Sequence, residues 1–439
     1  MSRFWRLLGY SKRKPCRIDF SVCRILTRSY KNHTVSLPTR NRARVAFLFM
    51  KRICVFTKPL DDWRSGSGHH VNEILSRVLD MNDVSRDFEF TFAHYGPSAN
   101  PIYSRVRELI VPRHPLLSAV AIRSHAFDLV HFTQLTVYSP VWLNGTKRMT
   151  ATMHGADELQ TASVQSMIKL AHERWLVPFY AERMDGLFTV SETSKRYFVD
   201  KFGLDASRIT VGYNGVSGAY RVLPPEEVSA PRALGISTPY ILHVSRFSER
   251  KNPWKLLEAF ARFRDALAEA GKNAASYSLV CAGKGWDGAA PRREAARLGF
   301  SDCYFAPGFT EERTIVELMN GARCFFFPSL AEGFGMPNVE AMACACPVVT
   351  TAVSAIPEVV GDAALIVADP GDAAALAAAL WTVCFDDAER EALRLRAFRR
   401  LHLFNWDESA GRLLGLFHRA LENTPQPEGT GIGMSHHIP

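Results

Sequence analysis

Twice along this chain a run of short apolar strands alternates with helices, and no other pattern restricts its folding as strongly. The first run places strands at residues 53–57, 88–93, 127–132, 148–155, 186–191 and 208–211. The second places them at 240–245, 278–283, 303–306, 324–327 and 347–350. Cys324, Phe325, Phe326 and Phe327 are apolar without a break and end at Pro328. Such a run suits a short strand buried in a sheet. Strands joined through helices by short connections imply open parallel sheets covered on both faces. Pro224, Pro225, Glu226, Glu227 and the stretch to Pro231 interrupt the rhythm, which restarts at Tyr240. The expected fold class is therefore α/β with two doubly wound lobes, residues 50–225 and 235–403. A last amphipathic helix is expected within 404–421.

The net charge of +9 belongs to one end of the chain. Residues 1–49 hold twelve Lys and Arg against a single acid, Asp19; the remainder has 41 basic and 43 acidic residues and is close to neutral. A nucleic-acid partner wants a basic face on a folded body, so this distribution argues against one. No stretch approaches the ~20 apolar residues that a membrane-spanning helix needs. Residues 1–49 lack the apolar centre of a signal peptide. They read in three ways: a basic membrane-surface segment around Phe4, Trp5, Arg6, Leu7 and Leu8, a poorly ordered extension, or translation upstream of a natural start at Met50. Residues 422–439 are polar and rich in Gly and Pro, the composition of a disordered tail. The nine cysteines include no Cys-x-x-Cys pair. Several lie in apolar runs, where Cys acts as a small hydrophobe, so the chain reads as a protein of a reducing cytosol without a disulfide framework or zinc site.

Beyond the strand at 324–327 lies the segment in which chemistry is most legible. Glu332 and Glu340 flank Gly333, Phe334, Gly335 and Met336, and Pro337 stands where a helix begins. Proline suits a first helical turn. Glycines before a helix start let backbone N–H groups approach a ligand, and the helix N-terminus favours an anion. A carboxylate on each side accepts hydrogen bonds from hydroxyls, as sugars require. The plain alternative is a tight turn with two solvated glutamates. Arg246 and Lys251 follow the strand at 240–245, on the side where open α/β sheets bind ligands; a solvated basic loop is the plain reading of either residue alone.

The seven residues between Glu332 and Glu340 make this segment resemble the Glu-x7-Glu signature of retaining glycosyltransferases of the GT-B fold, and more narrowly glycosyltransferase family 4. The resemblance extends over about residues 50–421. It implies two Rossmann-like lobes with a cleft between them, an acceptor lobe first, a nucleotide-sugar donor lobe second, and a terminal helix crossing back onto the first. By resemblance Glu332 holds the transferred sugar, Glu340 the ribose, and the Gly333, Phe334, Gly335 and Met336 backbone faces sugar and diphosphate. Arg246 and Lys251 then stabilise the departing diphosphate. Gly66 and Gly68, read as a glycine loop after the first strand, face it from across the cleft. His154 lies near the reacting sugar; where the family often has Asp next, this chain has Gly155. Ser191, Glu192, Thr193, Ser194 and Lys195 resemble a family turn and read physically as a helix cap. Asn214 and Gly215 read as a turn. Ala345 replaces the usual Gly between Cys344 and Cys346, at little cost unless the backbone there needs a positive φ. No metal site or cofactor is expected.

The expectation is transfer of a hexose, mannose as first guess, from a GDP- or UDP-linked donor to a saccharide or lipid-linked acceptor hydroxyl. The setting is envelope polysaccharide synthesis at the cytoplasmic membrane face, with peripheral contact only. Two alternatives stay open: a glycogen-synthase-like or other GT-B enzyme, and a non-catalytic partner subunit.

Overall fold

The computed structural model describes residues 50–58, 60, 66–135, 139–155 and 175–422. The readings of 1–49 and 423–439 lie outside the described residues. The first sheet has seven strands: β1 (Lys51–Phe56), β2 (Phe88–His94), β3 (Arg107–Ile110), β4 (Leu129–Phe132), β5 (Arg148–Met153), β6 (Gly186–Thr189) and β7 (Ile209–Val211). They lie in the order β3-β2-β1-β4-β5-β6-β7. The second has six: β8 (Tyr240–Val244), β9 (Ser278–Ala282), β10 (Tyr304–Gly308), β11 (Cys324–Phe327), β12 (Val348–Thr351) and β13 (Ala364–Val367). Their order is β10-β9-β8-β11-β12-β13. Every pairing in both sheets is parallel. In each sheet the order reverses once, between β1 and β4 and between β8 and β11, and these switch points are where such sheets open a crevice.

Alternating side chains explain why the strands look uniformly apolar. Ile53 and Val55 of β1 join one core cluster while Cys54 and Phe56 join another. Phe325 and Phe327 likewise face one layer, Cys324 and Phe326 the other. Both faces are dry, so period-two polarity disappears. Each fully buried Phe contributes about 2–3 kcal/mol. The expectations omit β3 and β13. The first is an exposed edge strand of sequence Arg-Glu-Leu-Ile, whose charges suit an edge and hide its pattern. The second is only partly buried, at the far edge beside β12. Gly66 and Gly68 are also placed differently from expectation: they lie in the first turn of the Gly66–Ser85 helix, not in a loop, and Gly68 is buried there. The packing of Val71, Ile74, Leu75 and Val78 from the same helix outweighs the poor helix propensity of glycine.

The Trp406–Leu421 helix returns to the first sheet. It packs on the Gly66–Ser85 helix and on β4 to β7, and buries Leu413, Leu416 and Phe417 in the first lobe's core. Gly215 makes the approach possible, since a Cβ there would sit 2.4 Å from the Trp406 backbone nitrogen.

Ala345 does occupy a left-handed conformation, with φ of 54°. Ala345→Gly is therefore expected to raise stability by about 1 kcal/mol in urea denaturation, by relieving the Cβ clash of that conformation. Unchanged or lower stability would refute the strain.

Candidate functional site

The second sheet's switch point collects the residues singled out by sequence. The loop after β8 carries Arg246, Arg250 and Lys251; the loop after β11 carries Ser329, Glu332 and the glycines. Gly335 caps the Met336–Ala343 helix at φ 85°, a value that favours glycine, and Pro337 occupies the first turn. No side chain caps this helix start. Pro337 has no N–H and Asn338 N donates to the Gly335 carbonyl at 3.0 Å, so the positive end rests on the helix dipole and the Met336 amide.

Glu332 lies almost fully buried beside that end. Lys251 Nζ donates to its Oε1, Ser329 Oγ donates to the same oxygen at 2.7 Å, and Arg250 Nη1 donates to Oε2 at 3.0 Å. Arg250 also donates to the Ala331 carbonyl at 3.0 Å, and its own carbonyl accepts from Leu330 N at 2.9 Å. Burial alone would raise the Glu332 pKa, but the Lys251 and Arg250 charges and the hydrogen bonds outweigh it and hold the carboxyl below its ordinary value. Lys251, itself buried, has its ammonium 4.6 Å from the centre of the Phe327 ring. Arg246 is exposed, and its side chain makes no hydrogen bond or ion pair among the described residues. The structure thus unites Lys251 with Glu332 and leaves Arg246 available at the mouth.

Glu340, one turn into the helix, is half-buried. Desolvation, with the Glu312 charge next, pushes its carboxyl up to about 8. Asn338, two residues before it, is wholly buried, and neither side-chain amide atom has a hydrogen-bond partner among the described residues. The Phe334 side chain packs in an apolar cluster, its ring 6.0 Å from Tyr213 and 5.8 Å from Phe404.

In the first lobe His154 follows β5, with Nε2 3.1 Å from the Thr133 carbonyl. Its ring packs edge-on against His70, centroids 4.6 Å apart. His70 Nδ1 is 2.8 Å from Asn214 Oδ1, and its ring lies 5.6 Å from Trp406. Burial, then the neighbouring His154, drives the His70 pKa well down, so this imidazole is neutral. His131, on β4, is a packed strand residue, bonded to the Thr150 and Thr152 hydroxyls. Asn214 is more than a turn residue, because it fixes His70. Sequence reasoning missed Arg250, His70 and Ser329. Adjacency to Lys251 and the i−3 spacing from Glu332 were available signals for Arg250 and Ser329; the His69 and His70 pair in a helix offers none.

Two consecutive doubly wound parallel sheets with a returning terminal helix define the GT-B fold. Solved structures agree: sucrose-phosphate synthase from Thermosynechococcus elongatus superposes with a TM-score of 0.68 at 18% identity, covering 85% of this chain and 100% of that one. HepE from Anabaena in complex with UDP-glucose gives 0.66 at 18% identity, covering 83% and 99%. The family model described as glycosyl transferases group 1 matches residues 228–400, and that of glycosyltransferase family 4 matches residues 68–218. The chain belongs to glycosyltransferase family 4. It is 30% identical over 235 residues to the O-antigen chain mannosyltransferase B of Escherichia coli, an alignment covering 53% of this chain and 60% of that relative's length.

Proposed function

We propose that this chain is a retaining glycosyltransferase that moves a hexose from a nucleoside-diphosphate donor to an acceptor hydroxyl in polysaccharide synthesis. The observation that carries the reading is the buried Glu332, held ionised by Lys251 and Arg250 beside an uncapped helix start at the sheet's switch point. That arrangement suits a sugar hydroxyl on the carboxylate and a diphosphate on the helix end, with Arg246 adding positive charge as the leaving group departs. The acceptor oxygen bonds to the anomeric carbon on the face from which the diphosphate leaves. The departing phosphate oxygen takes the acceptor proton, and the nucleoside diphosphate is released. His154, with its ring packed on His70, is assigned a place near the reacting sugar. Protein groups carry the positive charge, so no resident metal or cofactor enters the reading. The name of the O-antigen relative supports mannose and an envelope polysaccharide.

The test is a thermal-shift panel of GDP, UDP, ADP and TDP with their sugars. One nucleotide family raising the melting temperature, in proportion to roughly 2.7 kcal/mol at 100-fold over its Kd, identifies the donor base. Folded protein that responds to none of them favours the non-catalytic partner.

Peripheral contact with a lipid-linked acceptor's membrane belongs to the same reading. Among the described residues no helix is long and apolar enough to cross a membrane. The Pro115–Arg123 helix instead exposes Leu116, Leu117 and Val120, each more than half accessible. Arg113 and Arg123 flank this face, and no acid occurs between Glu108 and Asp128. An apolar stripe rimmed by cations suits an anionic lipid surface. Co-sedimentation with phosphatidylglycerol vesicles should exceed that with phosphatidylcholine, and the double change Leu117→Asp with Val120→Asp should abolish the difference. Equal sedimentation of both proteins would remove this contact.

A further inference from the structure

The two lobes meet through hydrogen bonds that the reaction as written above does not use. Glu358 lies on the Ile356–Val360 helix of the second lobe, and its carboxylate reaches the start of the Glu192–Phe202 helix of the first. One oxygen accepts from Glu192 N at 2.7 Å; the other accepts from Thr193 N at 2.7 Å and from the Thr193 hydroxyl. A helix start has four amides without partners inside the helix. Here Ser191 Oγ accepts from Ser194 N at 3.0 Å, and the intrahelical series begins only with Lys195 N on the Ser191 carbonyl at 3.1 Å. Two of the four are thus satisfied only by the opposite lobe.

The same turn touches the glycine loop. Ser191 is fully buried, and its hydroxyl lies 3.0 Å from the Gly333 carbonyl, to which it donates. Gly333 directly follows Glu332, whose own carbonyl accepts from Ala355 N at 3.3 Å, three residues before Glu358. The backbone around Glu332 and the Glu358 helix therefore form one surface docked on one helix start. Arg400 anchors that surface from behind, with Nε 2.6 Å from the Val359 carbonyl. A carboxylate opposite a helix N-terminus is also favoured by the helix dipole.

We propose that Glu358 and the first turn of the Glu192–Phe202 helix form an interlobe latch that positions the loop carrying Glu332 for the donor. Rotating the lobes apart strips Glu358 from two amides and frees the Gly333 carbonyl in one motion. Glu358 acts through the loop and is a positioning residue. Only the affinity arm of its test rests on the function proposed above.

The test compares full-length wild type, Glu358→Gln, Glu192→Pro and the double variant by hydrogen exchange and by GDP and UDP affinity. Glutamine turns an amide donor toward amide donors. Proline at the first helical position deletes one donor while keeping the helix, since Ser191 is already extended at φ −157° and ψ 154°. If the latch is real, each single variant exchanges faster at residues 191–196 and also at residues 330–336 across the cleft. Nucleotide affinity falls about three- to tenfold, the size of a lost cap, and the double variant loses less than the two singles together. A helix cap of purely local meaning would change residues 191–196 alone, and that result in both single variants overturns the latch. Unchanged affinity in both overturns the positioning role. If wild type binds neither nucleotide, the proposed function fails with these donors while the exchange comparison still decides the latch.

Discussion

Lys251→Ala is expected to weaken nucleotide-sugar binding on the order of 100-fold and to destabilise the protein by about 3 kcal/mol. The side chains of Lys251 and Glu332 are 11% and 7% exposed, so truncating the lysine leaves a buried carboxylate with Arg250 and Ser329 as its remaining partners. Breaking a buried pair from one side costs about 3–5 kcal/mol, and the surviving Arg250 contact places this case at the lower end. Burial, which already opposes ionisation of Glu332, then gains ground, so its pKa rises toward or above the ordinary value. The linkage has a definite sign. In wild type the folded-state pKa of Glu332 is depressed, so its contribution to stability is present above the unfolded pKa and is lost as pH falls through the folded one. The mutant should lose that acid-side dependence. Urea denaturation at pH 7 and pH 4, with calorimetric titration of the donor found in the panel, measures both effects. Wild-type stability with intact affinity would show that the pair is dispensable.

The second large effect concerns pH and Glu340. In the free protein its carboxyl sits at about 8, chiefly because it is desolvated, so it is mostly protonated at neutral pH. Ribose hydroxyls donating to the carboxylate would favour the ionised form. Donor binding should therefore release a proton and tighten with rising pH, by up to about tenfold per unit below pH 8, and level off above it. Titrations at pH 7 in buffers of different ionisation enthalpy should report close to one proton released. In Glu340→Gln both the release and the pH slope should vanish. A flat affinity between pH 6 and 8 in wild type would separate Glu340 from the nucleotide. The same shift acts on folding with the opposite sign to Glu332: a carboxyl raised from its ordinary value makes the native state progressively less stable as pH climbs from about 4.5 to 8.

Much of this was readable from residue order. The β11 sequence could hardly be anything but a doubly covered strand, because four consecutive apolar side chains need two dry layers. Gly335 had to be glycine at φ 85°, and its placement before Pro337 marked the helix start. Strand β3 was not readable, because an edge strand keeps its charges in water and shows no apolar period. Gly66 and Gly68 misled for a related reason. Local propensity favoured a loop, and the apolar face that makes the segment helical is satisfied by the first sheet and the returning terminal helix together.

By itself the sequence determined the class of fold, the two sheets, and the pairing of Glu332 and Glu340 around a glycine turn, since strand burial, helix starts and turn geometry are local and leave their mark in residue type. Only the tertiary structure decided which cations brace Glu332, that His70 and Asn214 set the ring of His154, and that Glu358 caps a helix from the other lobe. Those contacts join residues up to 166 positions apart, in the pair Glu192 and Glu358. Their geometry depends on how two lobes dock, which no local spacing encodes.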